Sequence, residues 1–239
     1  MLNTPARVFI GYWLALLLPP LFIWLSSASL FPLIDLNGMV AQVAFAVTMT
    51  GTRPWGLLTT AVVLTLACSL LPAAKRSKLL SCVLIAVVLN VVLSHLLKAI
   101  FAEPRPYVEY LAHAGLLDLQ QFYALDSQSR AAILQQLQPA ALPLQLAPEI
   151  LRHWQAETAY AFPSGHTLFS STLSLSCSLC LLPRVKWLPL LLLLWAWLVG
   201  FSRLLLGMHW SQDVLASAVL AAVLVLVSYI VTLRWLGQA

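Results

Sequence analysis

An all-α, polytopic membrane protein with six spanning helices is the fold class this sequence predicts, and three observations predict it. Of its 239 residues, 61% are apolar and 9% are charged, against about 25% charged in an average soluble domain. The apolar residues fall in runs near the roughly 20-residue length that crosses a bilayer. Short basic stretches separate some of these runs and a long polar segment separates others. A soluble globular enzyme, a disordered chain and a coiled coil are excluded by this composition. The formal charge of +5 does not point to nucleic acid, because no basic run is longer than Lys75-Arg76. In a membrane protein such an excess reports the positive-inside rule and anionic headgroups.

The expected spans are 9–25, 55–71, 79–101, 163–182, 187–206 and 214–235, in one domain covering 1–239. Pro19-Pro20 should kink the first or end it early. That run also fits a signal-peptide core with Ser26-Ser27-Ala28 as a cleavage site. Two connections, 72–78 and 183–186, are short and basic, and six-helix parity puts both on one side with Arg7 and Arg234. That side should be cytoplasmic. The opposite side then carries 26–54, 102–162 and 201–213. Segment 102–162 holds most of the acidic residues and many glutamines, and Ile133, Leu134 and Leu137 suggest a short amphipathic helix on the membrane surface. Cys68, Cys82, Cys177 and Cys180 all lie in apolar runs, where cysteine acts as a small hydrophobe. The Cys177-x-x-Cys180 spacing also occurs in redox and metal sites.

Few polar groups remain near the membrane, and an ionisable group there is expensive enough to suggest a functional site. Three clusters stand out, and the charge-derived topology places all three on the non-cytoplasmic side. Lys98 and Arg105-Pro106 end the third expected span. Pro163-Ser164-Gly165-His166 opens the fourth. Ser202-Arg203, His209 and Asp213 bridge the fifth and sixth. Lys98, Arg105 and Arg203 are equipment for a phosphate group: arginine as a bidentate fork, lysine as a point charge. Pro163 suits a first helical position, Ser164 can cap or donate, and Gly165 lets backbone approach a ligand. The helix start they form offers free N–H groups to an anion. His209 and Asp213 are four apart and would share a helix face, so the carboxylate could orient the imidazole as a nucleophile. His166 is placed to protonate a leaving oxygen. Three cations can neutralise the developing charge without a metal or other cofactor. Each cluster also has a plainer reading: snorkelling cations, an ordinary helix start, and a structural His–Asp pair.

Lys98-x6-Arg105-Pro106, Pro163-Ser164-Gly165-His166 and Ser202-Arg203-x5-His209-x3-Asp213 together resemble the three-part signature of the type 2 phosphatidic acid phosphatase superfamily, complete, in order and with that family's spacing. A closer resemblance, to its bacterial integral-membrane branch, extends to His153-Trp154-Gln155-x-Glu157-Thr158, to Phe162, and to Gly207-Met208-His209-Trp210. The resemblance implies a metal-independent lipid phosphatase of the bacterial inner membrane with its site facing the periplasm. By carry-over, His209 forms a phosphohistidine, Asp213 orients it, and His166 serves the leaving lipid alcohol. Lys98, Arg105, Ser164, Gly165 and Arg203 would bind phosphate oxygens. Phosphatidylglycerophosphate is the implied substrate, with undecaprenyl diphosphate and phosphatidic acid used by related members.

A site where helices meet the outer interface would admit a headgroup sideways while its chains stay in the bilayer, with Trp154, Tyr160, Phe162 and Trp210 as an interfacial belt. Glu157 and His153 are secondary candidates for headgroup contact. The implied partners are the lipid substrate and the bilayer; no obligate protein partner is evident. A transporter of phosphorylated lipids would use a similar cradle, but it would not need His209, Asp213 and His166.

Overall fold

The computed structural model describes residues 4–137, 142 and 144–237. Among them run the helices α1 (Thr4–Leu25), α2 (Met39–Met49), α3 (Trp55–Ser69), α4 (Ala73–Phe101), α5 (Pro106–His113), α6 (Leu119–Ala124), α7 (Ser127–Gln136), α8 (Pro148–Ala156), α9 (Gly165–Leu181), α10 (Trp187–Leu205) and α11 (Ser211–Leu236). No strand occurs among the described residues, and one isolated bridge joins Leu36 to Leu146. The all-helical expectation therefore holds.

Four helices, α1, α4, α10 and α11, are long and apolar enough to cross a membrane. Two of the expected spans form shorter helices, α3 with 15 residues and α9 with 17. The basic stretch at 72–78 is not a loop. It supplies the first turns of α4, which starts directly after an extended Pro72. Helix α2 was not anticipated, because 11 residues are too few to read as a span.

Helix α1 runs through Pro19 and Pro20 to Leu25 and does not end early. A proline removes the N–H that would bond the carbonyl four residues back, so Pro20 leaves Leu16 O without its helical donor. The Trp197 indole N–H of α10 fills that place at 3.2 Å. Neighbouring helices re-satisfy such freed groups in bilayer-embedded helices.

Helix α9 is the axis of the bundle, packing against α1, α4, α10 and α11. Ser170, Ser171, Thr172, Ser174, Ser176 and Ser178 are all buried along it. Small side chains let backbones approach closely where lipid supplies no hydrophobic drive between helices. Some hydroxyls find partners: Ser174 Oγ meets Tyr12 OH at 2.7 Å, and Ser178 Oγ donates to Leu175 O at 2.8 Å. These hydroxyls also dilute the apolar character of α9.

Helices α5 to α8 form a second layer over one end of the bundle, sharing a buried cluster with Phe31, Leu206 and Met208. Asp118 and Asp126 cap α6 and α7, each accepting backbone N–H bonds with its carboxylate. The helix expected near 128–137 forms as α7, but Leu134 and Ile133 turn inward to the core of this layer. Trp154, expected at the interface, is fully buried there. Its ring stacks on Tyr107 at 4.5 Å, and its indole N–H donates to Leu206 O at 3.0 Å, tying α8 to the end of α10. An indole can be buried this far because its one donor is satisfied. Trp154→Ala should destabilise the protein by about 3–5 kcal/mol, read as a fall in melting temperature in detergent. Trp154→Phe should recover part of the loss, and equal melting of Trp154→Ala and the parent would contradict this packing.

Candidate active site

Three helix junctions supply the side chains. The first is the end of α4. Its chain leaves the helix at Ala102, in left-handed conformation (φ 45°), and Lys98 lies in its last turn. The second is the start of α9, where Ser164 is the N-cap and its Oγ accepts the Thr167 N–H at 3.4 Å. Pro163 thus precedes the cap; it is not the first helical residue, because the Ser164 side chain takes the capping position. The third is the turn from α10 to α11. Gly207 has φ 67°, and a Cβ there would meet the Phe31 ring at 2.7 Å. The left-handed turn folds the chain back so that the Met208 and His209 N–H groups both reach Arg203 O, at 3.0 and 3.3 Å. Gly207 O then accepts the Tyr107 N–H at 2.9 Å, docking α5 on this turn.

His209 is not on a helix with Asp213 as the spacing suggested. It lies in the turn before α11, and Asp213 lies in the first turn of that helix. The contact forms nonetheless, with His209 Nδ1 3.3 Å from Asp213 Oδ2. The same oxygen accepts the Trp210 N–H at 2.9 Å, which fixes the carboxylate as part of the helix start. Asp213 Oδ1 is buried and has no hydrogen-bond partner among the described residues, with the Glu103 carboxyl near the same side chain. On the other side of the ring, His209 Nε2 is 3.4 Å from Arg105 Nη1. Burial first, then Arg105 and Arg203, hold the His209 pKa well below its ordinary value, so the ring is neutral and one nitrogen is free of a proton.

All three cations converge on the chain between α8 and α9. Lys98 Nζ donates to the carbonyls of Tyr160 and Ala161. Arg105 Nε donates to Ala159 O at 2.6 Å and Nη1 to Met208 O at 3.0 Å. Arg203 Nη2 donates to Glu157 Oε2 at 2.6 Å, and Arg105 Nη2 lies 3.5 Å from the same oxygen. The Arg203 guanidinium is fully buried, and its Nε has no partner. Glu157 Oε1 completes the cluster, 3.5 Å from His153 Nε2 and 3.7 Å from His166 Nε2. Burial would raise the Glu157 pKa, but Arg203, His166 and Arg105 outweigh it and hold the carboxyl well below its ordinary range.

The structure thus joins Arg105, Arg203, His166 and His209 through direct contacts or through Glu157, and pairs His209 with Asp213. Gly165 and Ser164 border the same region at the start of α9, with Ser164 fully buried. Thr52, just after α2, was missed by the sequence reading. Its Oγ1 lies 2.8 Å from His166 Nε2, and no local pattern marks it. Glu157 proves central where it was rated secondary; its i,i+4 relation to His153 on α8 was the available signal. Among the described residues no group of three or more His, Cys, Asp and Glu side chains is placed to hold a metal ion.

His153 Nε2 lies 2.7 Å from Arg203 Nη1, and burial, then Arg203, lower its pKa to about 4. A histidine with a depressed folded pKa is neutral in the fold while the unfolded chain takes up a proton. Stability is therefore lost as pH falls from the ordinary value near 6.5 toward 4. His153→Gln should flatten the dependence of melting temperature on pH in that window, by about one proton's worth. An unchanged slope would show that His153 does not carry it.

Residues 79–236 match the family model described as the PAP2 superfamily, which takes in all three junctions. The whole chain is 33% identical to phosphatidylglycerophosphatase B of Escherichia coli, over 91% of that protein. It is 32% identical to phosphatidylglycerophosphatase B of Haemophilus influenzae, over 88% of this chain and 89% of that one. A shorter stretch of 65 residues, 27% of this chain and 30% of the other, is 40% identical to an undecaprenyl-diphosphatase of Sulfolobus acidocaldarius. With the family model spanning both ends of the site, and relatives alike along nearly their full length, this chain belongs to the PAP2 superfamily and is a phosphatase.

Proposed function

We propose that this membrane phosphatase hydrolyses phosphatidylglycerophosphate to phosphatidylglycerol and phosphate, through a phosphohistidine on His209 and without a metal ion. The observation that carries the reading is the placement of His209: a buried, neutral ring with Nδ1 against Asp213 and Nε2 beside Arg105. Nε2 attacks phosphorus as the bond from phosphorus to the lipid oxygen breaks. His166 supplies the proton to that oxygen. Water then attacks phosphorus, the P–N bond breaks, and His166 takes the water proton. Asp213 accepts the Nδ1–H and stabilises the positive ring. Arg105, Arg203 and Lys98, with Ser164 and the Gly165 backbone at the start of α9, hold the phosphoryl oxygens. A phosphate gripped by both guanidiniums has to displace the Glu157 carboxylate. Undecaprenyl diphosphate is the second reading, favoured by the 65-residue similarity to an undecaprenyl-diphosphatase.

The same reading makes α3 and α9 the remaining two spans of a six-span protein in the bacterial inner membrane. Basic residues at the start of α4 and between α9 and α10 face the cytoplasm. Segment 102–162 then forms a periplasmic layer over the site.

Phosphate release by purified protein in excess EDTA tests the chemistry. Activity should survive EDTA and vanish in His209→Ala; loss on chelation would overturn metal independence, and activity in the variant would overturn the nucleophile. Asp213→Asn should keep the fold and cut the rate by about 10⁴, as in another enzyme whose orienting carboxylate was changed; a loss below tenfold would remove the orienting role. For topology, single cysteines at Gly115 and Arg184 would be placed in a background with the four native cysteines changed to alanine. An impermeant maleimide should label position 115 in spheroplasts and position 184 only after permeabilisation, and the reverse pattern would invert the model.

A further inference from the structure

A cavity lies beside the start of α9. It is about 290 Å³ in volume and is bounded by α3, α4 and the turn before α3. Gly165 lines it, so the cavity borders the start of α9. Phe169 makes it apolar on the bundle side, and Leu57 and Val91, exposed on the outside of the protein, continue that apolar lining outward. Two groups of another kind line it as well: Arg53 and His95. Neither belongs to the cluster around Glu157.

Arg53 is exposed and makes no hydrogen bond or ion pair to the described residues. It follows Thr52, whose hydroxyl touches His166, so the arginine lies one residue from the catalytic region. His95 Nδ1 donates to Val91 O at 2.7 Å; the charged ring adds an Nε2–H that can donate to an anion. Asn90 and Ser94, both buried, add polar groups to the same wall of α4. An unpaired guanidinium and an imidazole beside an apolar groove suit an anionic group that is attached to a lipid chain.

We propose that Arg53 and His95 form a subsite for the second phosphate of the substrate, the one that is not transferred. This rests on the lipid-phosphatase reading above and adds to it a basis for choosing among lipids. Phosphatidylglycerophosphate carries a phosphodiester between its transferred phosphate and its acyl chains. A polyprenyl diphosphate carries its inner phosphate on the same, lipid side of the transferred group, joined through a bridging oxygen where phosphatidylglycerophosphate has a glycerol. Phosphatidic acid has only the phosphate that is removed. The Arg53 guanidinium, with the His95 ring lining the same cavity, stabilises the first two and offers the third nothing.

The test is steady-state hydrolysis of all three lipids in mixed micelles by the parent, Arg53→Gln, Arg53→Lys and His95→Gln. Arg53→Gln should lower kcat/KM for phosphatidylglycerophosphate by 10-fold or more, chiefly through KM, and leave phosphatidic acid within about 2-fold. Arg53→Lys should fall between, since it keeps charge but loses the fork. His95→Gln should shift the same ratio in the same direction. The polyprenyl diphosphate arm separates the two sources of a second phosphate: a fall there shows that the subsite also serves diphosphates. Equal losses on phosphatidic acid and phosphatidylglycerophosphate, or no loss on either, would overturn the subsite while leaving the phosphatase reading intact. Hydrolysis of none of the lipids by the parent protein would overturn both.

Discussion

The buried guanidinium of Arg203 sets the terms for the rest of the molecule. A fully buried cation costs several kcal/mol unless it is paired and hydrogen-bonded. Its partner here is Glu157 at 2.6 Å, from a segment 46 residues away in the chain. That pairing obliges the layer formed by α5 to α8 to sit over the end of the bundle and brings His153 to the other side of the guanidinium. Arg105 and Lys98 then grip the carbonyls of the same connecting strand of chain. Lys98, Arg105 and Arg203 thus anchor the cap, so the candidate site and the fold share one set of contacts.

The membrane bundle solves a different problem. Helix α9 has to bring its N-terminus to the site, and it does so from the centre of four other helices. Its serines and threonines make that close approach possible, and Tyr12 and the helix backbone satisfy several of them. Tryptophans 13 and 197 act as donors across helix faces, to Ala218 O and Leu16 O. The second of these accounts for a helix that carries two adjacent prolines without ending. In a medium without water, each such donor matters because a freed carbonyl has no alternative partner.

Much of the site was legible in the sequence, because its chemistry is carried by local motifs. Fixed charges beside apolar runs are rare enough to notice, and parity of the basic loops puts them on one side. What misled was inference from spacing alone. His209 and Asp213 are four apart, yet only Asp213 is helical; a left-handed Gly207 turn, not a helix face, brings the ring to the carboxylate. Trp154 looked like an interfacial anchor because tryptophan often is one. Its buried donor, satisfied by Leu206 O, makes it a core residue instead.

The sequence by itself determined the composition class, the helical content and which charged and polar residues make up the three family motifs. These follow from local chemistry: hydropathy over a run and residue types suited to an anion. Only the tertiary structure decided that Glu157 stands among Arg105, Arg203, His153 and His166, that Thr52 touches His166, and that Arg53 and His95 share a cavity with Gly165. Apart from the Glu157–His153 pair, four residues apart, and the Glu157–His166 pair, nine apart, those partners lie on different elements and tens of residues or more apart in the chain. Their meeting depends on how the helices pack and where the cap docks, and no pattern within a single segment encodes it.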